Sequence, residues 1–144
     1  MKSPVLRPAR DFDTAEIAQV AARPFTARWS REAYAAELAR SDSIFLVADD
    51  GVVIGYAVAR VVEGEVQLLD LAAAEDGKGT GRALWAALAA AARARGAKKL
   101  TLEVSAGNTR AIFFYRRAGA AVVGRRAKFY NDGSDAVLMD FFLA

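Results

Sequence analysis

The sequence predicts an α/β fold, a mixed and mostly antiparallel sheet with helices on its faces. Three observations carry this. Apolar runs of strand length, broken by turn signals at 49–51 and 63–64, make a three-strand meander over residues 44–72. An alanine-rich segment of helical length follows at once, over 79–95. Strand, helix and two further strands then complete the chain.

The elements follow in order. Residues 5–8 read as a short first strand. Asp13 or Thr14 caps a helix running to about residue 22, where Pro24 stops it. Ser30 caps a second helix over 31–40, with Tyr34 and Leu38 one turn apart. Strands follow at 44–48 and 52–62, joined by Asp49, Asp50 and Gly51, and at 65–72 after Glu63 and Gly64. The long helix ends at Gly96. Residues 99–105 alternate as a strand, and Asn108 caps a helix over 109–118 that Gly119 ends. Strands at 120–126 and 136–143 flank a turn at 131–134. With 144 residues and no composition shift or linker, one domain over 1–144 is expected.

Composition excludes several chemistries. The chain has no cysteine, hence no disulfide, thiolate nucleophile or thiolate metal site. It has no histidine, so a Ser-His-Asp triad is impossible and no metal site is expected. Acid–base work falls to carboxylates, tyrosine, lysine or bound water. No apolar run approaches the about 18 residues that span a bilayer, and the N-terminal segment lacks an apolar signal region. A cytoplasmic protein without membrane contact is expected. The net charge of +3, with pI about 9.4, comes without a long basic block. It suits an acidic ligand, and direct nucleic-acid binding is not expected.

The most informative stretch is Glu75-Asp-Gly-Lys-Gly-Thr-Gly-Arg-Ala-Leu84. Gly77, Gly79 and Gly81 sit where a strand turns into a helix. Glycine permits positive φ and close backbone approach, and a helix N-terminus offers unpaired N–H groups. Together these form an anion cradle suited to phosphate. The G-x-G-x-G spacing after a meander matches neither the dinucleotide fingerprint nor a P-loop.

The residue order resembles the GNAT family of acetyl-CoA-dependent N-acetyltransferases, whose pyrophosphate loop reads Q/R-x-x-G-x-G/A. Gly79 and Gly81 match, and Asp76 stands at the Q/R position. Leu-Thr-Leu-Glu-Val-Ser-Ala-Gly-Asn-Thr-Arg-Ala-Ile-Phe-Phe-Tyr-Arg-Arg-Ala-Gly-Ala over 100–120 is similar to the ribosomal-protein-alanine N-acetyltransferase, or RimI-type, branch. Leu102, Glu103, Val104, Asn108, Ala111, Ile112, Tyr115 and Gly119 fall at matching spacing. Residues 28–38 and 129–141 are similar to further segments of that branch; Ser105, Ala120 and Phe129 depart from it.

Read as residues alone, Glu103 lies in mid-strand, on a solvated face or in a cleft. Tyr115 belongs to an aromatic run that suits a core, and Asn108 is a helix cap. Leu69 and Leu71 are core or cleft-wall residues. The resemblance implies more. Glu103 would be the general base, acting through water, and Tyr115 the general acid that protonates the thiolate of coenzyme A. Lys78, Gly79, Thr80, Gly81 and Arg82 would bind the pyrophosphate, Lys78 and Arg82 offsetting Asp76. Asn108 would bind the cofactor, and the strand of Leu69 and Leu71 would pair with pantetheine, an N–H near Leu71 polarising the thioester. Tyr130, Trp29 and Phe25 would line an acceptor groove, or belong to the core. Acetyl-CoA is the implied co-substrate. The implied acceptor is a protein N-terminal α-amine, such as that of a ribosomal protein, reached in a ternary complex. Lysine side chains, a small-molecule amine or a non-catalytic CoA-binding module are the alternatives.

Overall fold

A computed structural model describes residues 3–22 and 29–143. Its elements are β1 (Val5–Pro8), α1 (Thr14–Val20), α2 (Arg31–Leu38), β2 (Ser43–Asp49), β3 (Val53–Val62), β4 (Glu65–Ala73), α3 (Thr80–Ala94), β5 (Lys99–Ser105), α4 (Thr109–Arg117), β6 (Ala121–Arg126) and β7 (Ala136–Phe142). A single 3-10 turn, Asp11–Asp13, leads into α1. The predicted α/β class and element order hold, with ends within two or three residues.

The turn chemistry explains those boundaries. Ser30 Oγ accepts the Ala33 N–H at 3.1 Å, capping α2. Glu63 and Gly64 both take positive φ (48° and 83°), the geometry of a tight hairpin turn. Gly96 (φ 75°) ends α3. Asp13 behaves differently from expectation. Its carboxylate does not cap α1; it takes two hydrogen bonds from the Arg7 guanidinium, at 2.8 and 2.9 Å, and one from the Arg10 N–H. Arg7 also bonds Asp49 at 3.1 Å, tying β1 to β2. The Arg7 pairing holds the buried Asp13 carboxyl below the ordinary carboxylate range.

The sheet order is β1-β2-β3-β4-β5-β7-β6, and among the described residues only β4 and β5 pair in parallel. β7 therefore lies between β5 and β6, so the last strand of the chain fills the middle of the second half. α3 and α4 cover one face. Leu84 and Leu88 of α3 are fully buried, and Trp85 shares one core with Val66, Leu68, Leu100, Leu102 and Met139. α1 and α2 cover the other face, where Ile17, Tyr34, Phe45, Tyr56 and Val58 form a second core. Burying such side chains on both faces supplies most of the driving force, about 1.5–3 kcal/mol each.

Two irregularities shape the middle of the sheet. β4 and β5 pair at only three positions, Glu65↔Lys99, Val66↔Leu100 and Gln67↔Thr101. Beyond these, β4 stays on β3 as far as Gly55↔Ala73, and β5 stays on β7 as far as Ser105↔Ala136. The sheet thus splays into two halves, and alternate backbone groups along 68–73 face the opening rather than a strand. β4 also carries a bulge. Val58 faces Asp70 and Ala59 faces Leu68, which leaves Leu69 as an extra residue. The extra residue resets the alternation. Leu68 and Leu71 pack on the α3 side, whereas Leu69 and Ala72 pack on the α1–α2 side.

Candidate active site

The glycine cradle opens α3 at the end of β4. Gly77 and Gly79 are left-handed, with φ of 76° and 81°, and open space surrounds the place of each missing Cβ. A side chain there would be strained by the backbone, not by crowding. Gly81 does a different job. It is helical, and a Cβ on it would come 3.4 Å from the Phe114 ring of α4. Gly79 is the N-cap of α3 and has no side chain to cap with. The first intrahelical bond of α3 runs from the Ala83 N–H to the Gly79 carbonyl, at 3.0 Å. The N–H groups of Thr80, Gly81 and Arg82 precede it, at the positive end of the helix dipole. Bare glycines, an end without a capping side chain and the dipole fit a pyrophosphate.

Asp76 does not spoil this cradle. Its carboxylate meets Arg110 of α4 at 3.3 Å, so its charge is offset from a neighbouring helix. Lys78 lies 3.9 Å from Glu75, and both are exposed. Arg82 is exposed on the first turn of α3.

Across the splay, β5 sets Glu103 by strand alternation. Leu102 and Val104 enter the α3–α4 core, so Glu103 points to the opposite face. Its side chain is 24% exposed and lies 3.4 Å from Arg126 of β6. It is close enough to Tyr130 that burial and its charge together raise the Tyr130 pKa. Tyr115 comes from α4 on the other face. It is 7% exposed, its ring 5.5 Å from Trp85 and 5.2 Å from Phe114. The core reading of Tyr115 therefore holds for its ring. Burial, and then the charge of Asp70, push its hydroxyl well above the ordinary 10.0, so it stays protonated at neutral pH.

Asn108 is a cap, its Oδ1 accepting the Ala111 N–H at 3.2 Å. Ser105 Oγ bonds Ser134 Oγ at 2.9 Å and takes the Gly107 N–H at 3.2 Å. These bonds fasten the end of β5 to the loop before β7. Trp29 packs tilted against Tyr34, 5.5 Å between centroids, and Phe129 meets Tyr130 edge-to-face at 5.1 Å. Phe25 lies outside the described residues, as does Pro24.

The sequence reading passes over Asp70. The Tyr56 hydroxyl donates a short hydrogen bond to its carboxylate. A lone acid inside the apolar run Val66-Gln-Leu-Leu-Asp-Leu71 was the available signal. Among the described residues no cluster of acidic, His or Cys side chains could hold a metal ion, and no helix is long and apolar enough to cross a membrane.

Comparison with known proteins settles the family. The sequence model of the acetyltransferase (GNAT) family matches residues 14–120, most of the chain. The chain belongs to the GNAT family. It is an acetyl-CoA-dependent N-acetyltransferase, and acetyl-CoA is the acetyl donor. A Bacillus subtilis (strain 168) relative is 26% identical over 139 residues, 93% of this chain and 92% of its own. The [ribosomal protein bS18]-alanine N-acetyltransferase of Escherichia coli (strain K12) is 32% identical over 116 residues, 77% of this chain and 78% of that one. The crystal structure of the Escherichia coli ribosomal-protein-S18-alanine N-acetyltransferase superposes with a TM-score of 0.86 at 25% identity, covering 97% of this chain and 94% of that one. The GNAT chain thus shares sequence and fold with enzymes named for an alanine of a ribosomal protein.

Proposed function

We propose that this GNAT enzyme is a single-domain cytoplasmic protein that acetylates the N-terminal α-amine of a protein, such as a ribosomal protein beginning with alanine. The amine attacks the thioester directly, in a ternary complex. One observation supports this above the others: β4 and β5 part beyond Gln67↔Thr101, and the β5 strand there carries a partly buried carboxylate, Glu103.

The chemistry asks for little more. At pH 7 about a tenth of α-amines are neutral, against about one part in 2,500 of lysine side chains. A carboxylate working through water can remove the remaining proton of an α-amine, which makes Glu103 a sufficient base. Arg126 holds that carboxylate toward β6. Tyr115, kept protonated by burial, donates its proton to the departing sulfur. The N–H groups of Thr80, Gly81 and Arg82, with Lys78 nearby, hold the pyrophosphate, while the free edge of β4 at Leu69 and Leu71 pairs with the pantetheine arm. A backbone N–H at Leu71 aimed at the thioester oxygen stabilises its developing charge. Asn108 presents its remaining polar group to the same arm. Trp29, Phe129 and Tyr130 line the path of the acceptor chain. The Escherichia coli relative and structure, both named as ribosomal-protein-alanine N-acetyltransferases, lend support to the α-amine as acceptor.

The test is acetylation of a peptide panel by the purified protein, with the modified nitrogen located by fragmentation mass spectrometry. Half the peptides begin with a free alanine; the others carry a blocked N-terminus and an internal lysine. Acetyl groups on the α-nitrogen are expected. Modification confined to lysine ε-nitrogens would overturn the acceptor assignment.

A further inference from the structure

We propose that Asp70 is a second acceptor-side carboxylate, a positioning and specificity residue that hydrogen-bonds the incoming amine and orients it toward the thioester. The inference rests on the placement of the reacting groups in the β4–β5 splay given above. Its grounds are the position of Asp70 on the backbone, its anchor and its reach.

Position comes first. Asp70 lies past Gln67↔Thr101, the last β4–β5 pair, in the part of β4 that borders the opening. The bulge at Leu69 gives it its orientation. Under strict alternation Leu69 and Asp70 would point to opposite faces; with the extra residue, Asp70 reaches Tyr56 on the α1–α2 side, where Leu69 also packs. That is the face to which Glu103 points. Asp70 is also the neighbour of Leu71, whose N–H is assigned to the thioester oxygen. Consecutive Cα atoms are about 3.8 Å apart, so a nucleophile at the carbonyl carbon passes within reach of this carboxylate.

The anchor is Tyr56. Its side chain is fully buried in the second core, and its hydroxyl fixes the Asp70 carboxylate. A carboxylate accepts about four hydrogen bonds, so it can hold Tyr56 and an amine together. The reach of Asp70 is visible in its neighbours. Burial, and with it the charge of Asp70, raises the pKa of Tyr34 and Tyr56 on one face and of Tyr115 on the other.

The chemical role follows. A neutral primary amine has two N–H bonds and one lone pair. Asp70 accepts one N–H, and the water activated by Glu103 accepts the other, which turns the lone pair to the carbonyl carbon. As the C–N bond forms, nitrogen gains positive charge, and the adjacent carboxylate stabilises it. The proton leaves through water to Glu103. The C–S bond breaks and the sulfur takes the Tyr115 proton. The apolar surroundings of Asp70 make such a charge-assisted bond stronger than in water.

The experiment is steady-state kinetics of Asp70→Asn with acetyl-CoA and the acceptor varied in turn. The acceptor is whichever panel peptide the wild type acetylates best, on an α-amine or a lysine. Asparagine keeps the size and an oxygen for Tyr56. The acceptor KM is expected to rise roughly tenfold or more, with the acetyl-CoA KM within about twofold of wild type. Asp70→Glu should restore part of the loss. Should the asparagine variant fail to fold, Asp70→Ser gives Tyr56 a smaller acceptor, and the same split is expected. An unchanged acceptor KM in a folded variant, with or without a lower Tm, overturns the inference and returns Asp70 to anchoring Tyr56. Lysine-only acetylation by the wild type would sink the α-amine reading alone, because the acceptor KM would still decide the role of Asp70.

Discussion

Replacing Glu103 by glutamine slows turnover by about 100-fold or more, the usual contribution of a positioned general base. The change is nearly isosteric and keeps an oxygen toward Arg126, now 3.4 Å from the carboxylate. Leu102 and Val104 stay in the core on the other face, so folding is little affected. The pH dependence carries the sign of the argument. A base works only when deprotonated, and that requirement puts an acid limb on the wild-type rate. The glutamine variant has no such group, and its acid limb flattens or moves. At the alkaline end the limb set by Tyr115 stays high in both proteins, since burial and Asp70 hold that phenol protonated. Stopped or continuous thiol-release assays across pH make the comparison. A wild-type rate and profile would place Glu103 on a merely solvated face.

The second large effect is at the cradle. Gly79→Val puts a β-branched residue at φ 81°, in the region L side chains rarely adopt. Such strain costs on the order of 1–3 kcal/mol, and the backbone escapes it by turning the N–H groups at the start of α3 away from their common focus. The new side chain also occupies the open space in which a phosphate would lie. Adding Gly81→Val brings a branched side chain against Phe114, 3.4 Å from the position of its Cβ, and forces α3 from α4. Affinity for acetyl-CoA, read by calorimetry, is expected to fall at least about 100-fold in the double variant, given the loss of several charge-assisted bonds. Gly51→Val is the control, for Gly51 has φ 111° in the β2–β3 turn and equally open surroundings. It carries the same kind of strain far from the cradle and should leave cofactor affinity near wild type. Micromolar binding by the double variant would contradict the phosphate assignment.

Much of the fold was legible because glycines and short polar turns mark its corners. Gly51, Gly64, Gly96 and Gly119 all take positive φ, and each bounds a predicted element. Glu103 and Tyr115 could be placed because strand and helix periodicity hold in β5 and α4. What escaped the sequence depends on distant partners. Asp13 reads as a cap, but Arg7 captures it, and Arg7 in turn answers to Asp49, forty-two positions along the chain. Asp76 looks hostile to phosphate until Arg110 is found beside it. The bulge at Leu69 leaves no local mark, since Leu68, Leu69 and Leu71 would suit a regular strand equally well. Without that bulge the alternation turns Asp70 the wrong way, and its bond to Tyr56 cannot be foreseen. Nor does the order of β5, β7 and β6 follow from strand lengths; it comes from which edge the final strand covers.

A crystal structure of the acetyl-CoA complex tests the central claim most directly. The account predicts the pyrophosphate on the N–H groups of Thr80, Gly81 and Arg82, with the pantetheine arm along 68–73 of β4. The thioester oxygen should lie about 3 Å from the Leu71 nitrogen, and the sulfur within hydrogen-bond reach of the Tyr115 hydroxyl. A cofactor seated away from the β4–β5 splay, or a thioester out of reach of both groups, would contradict it.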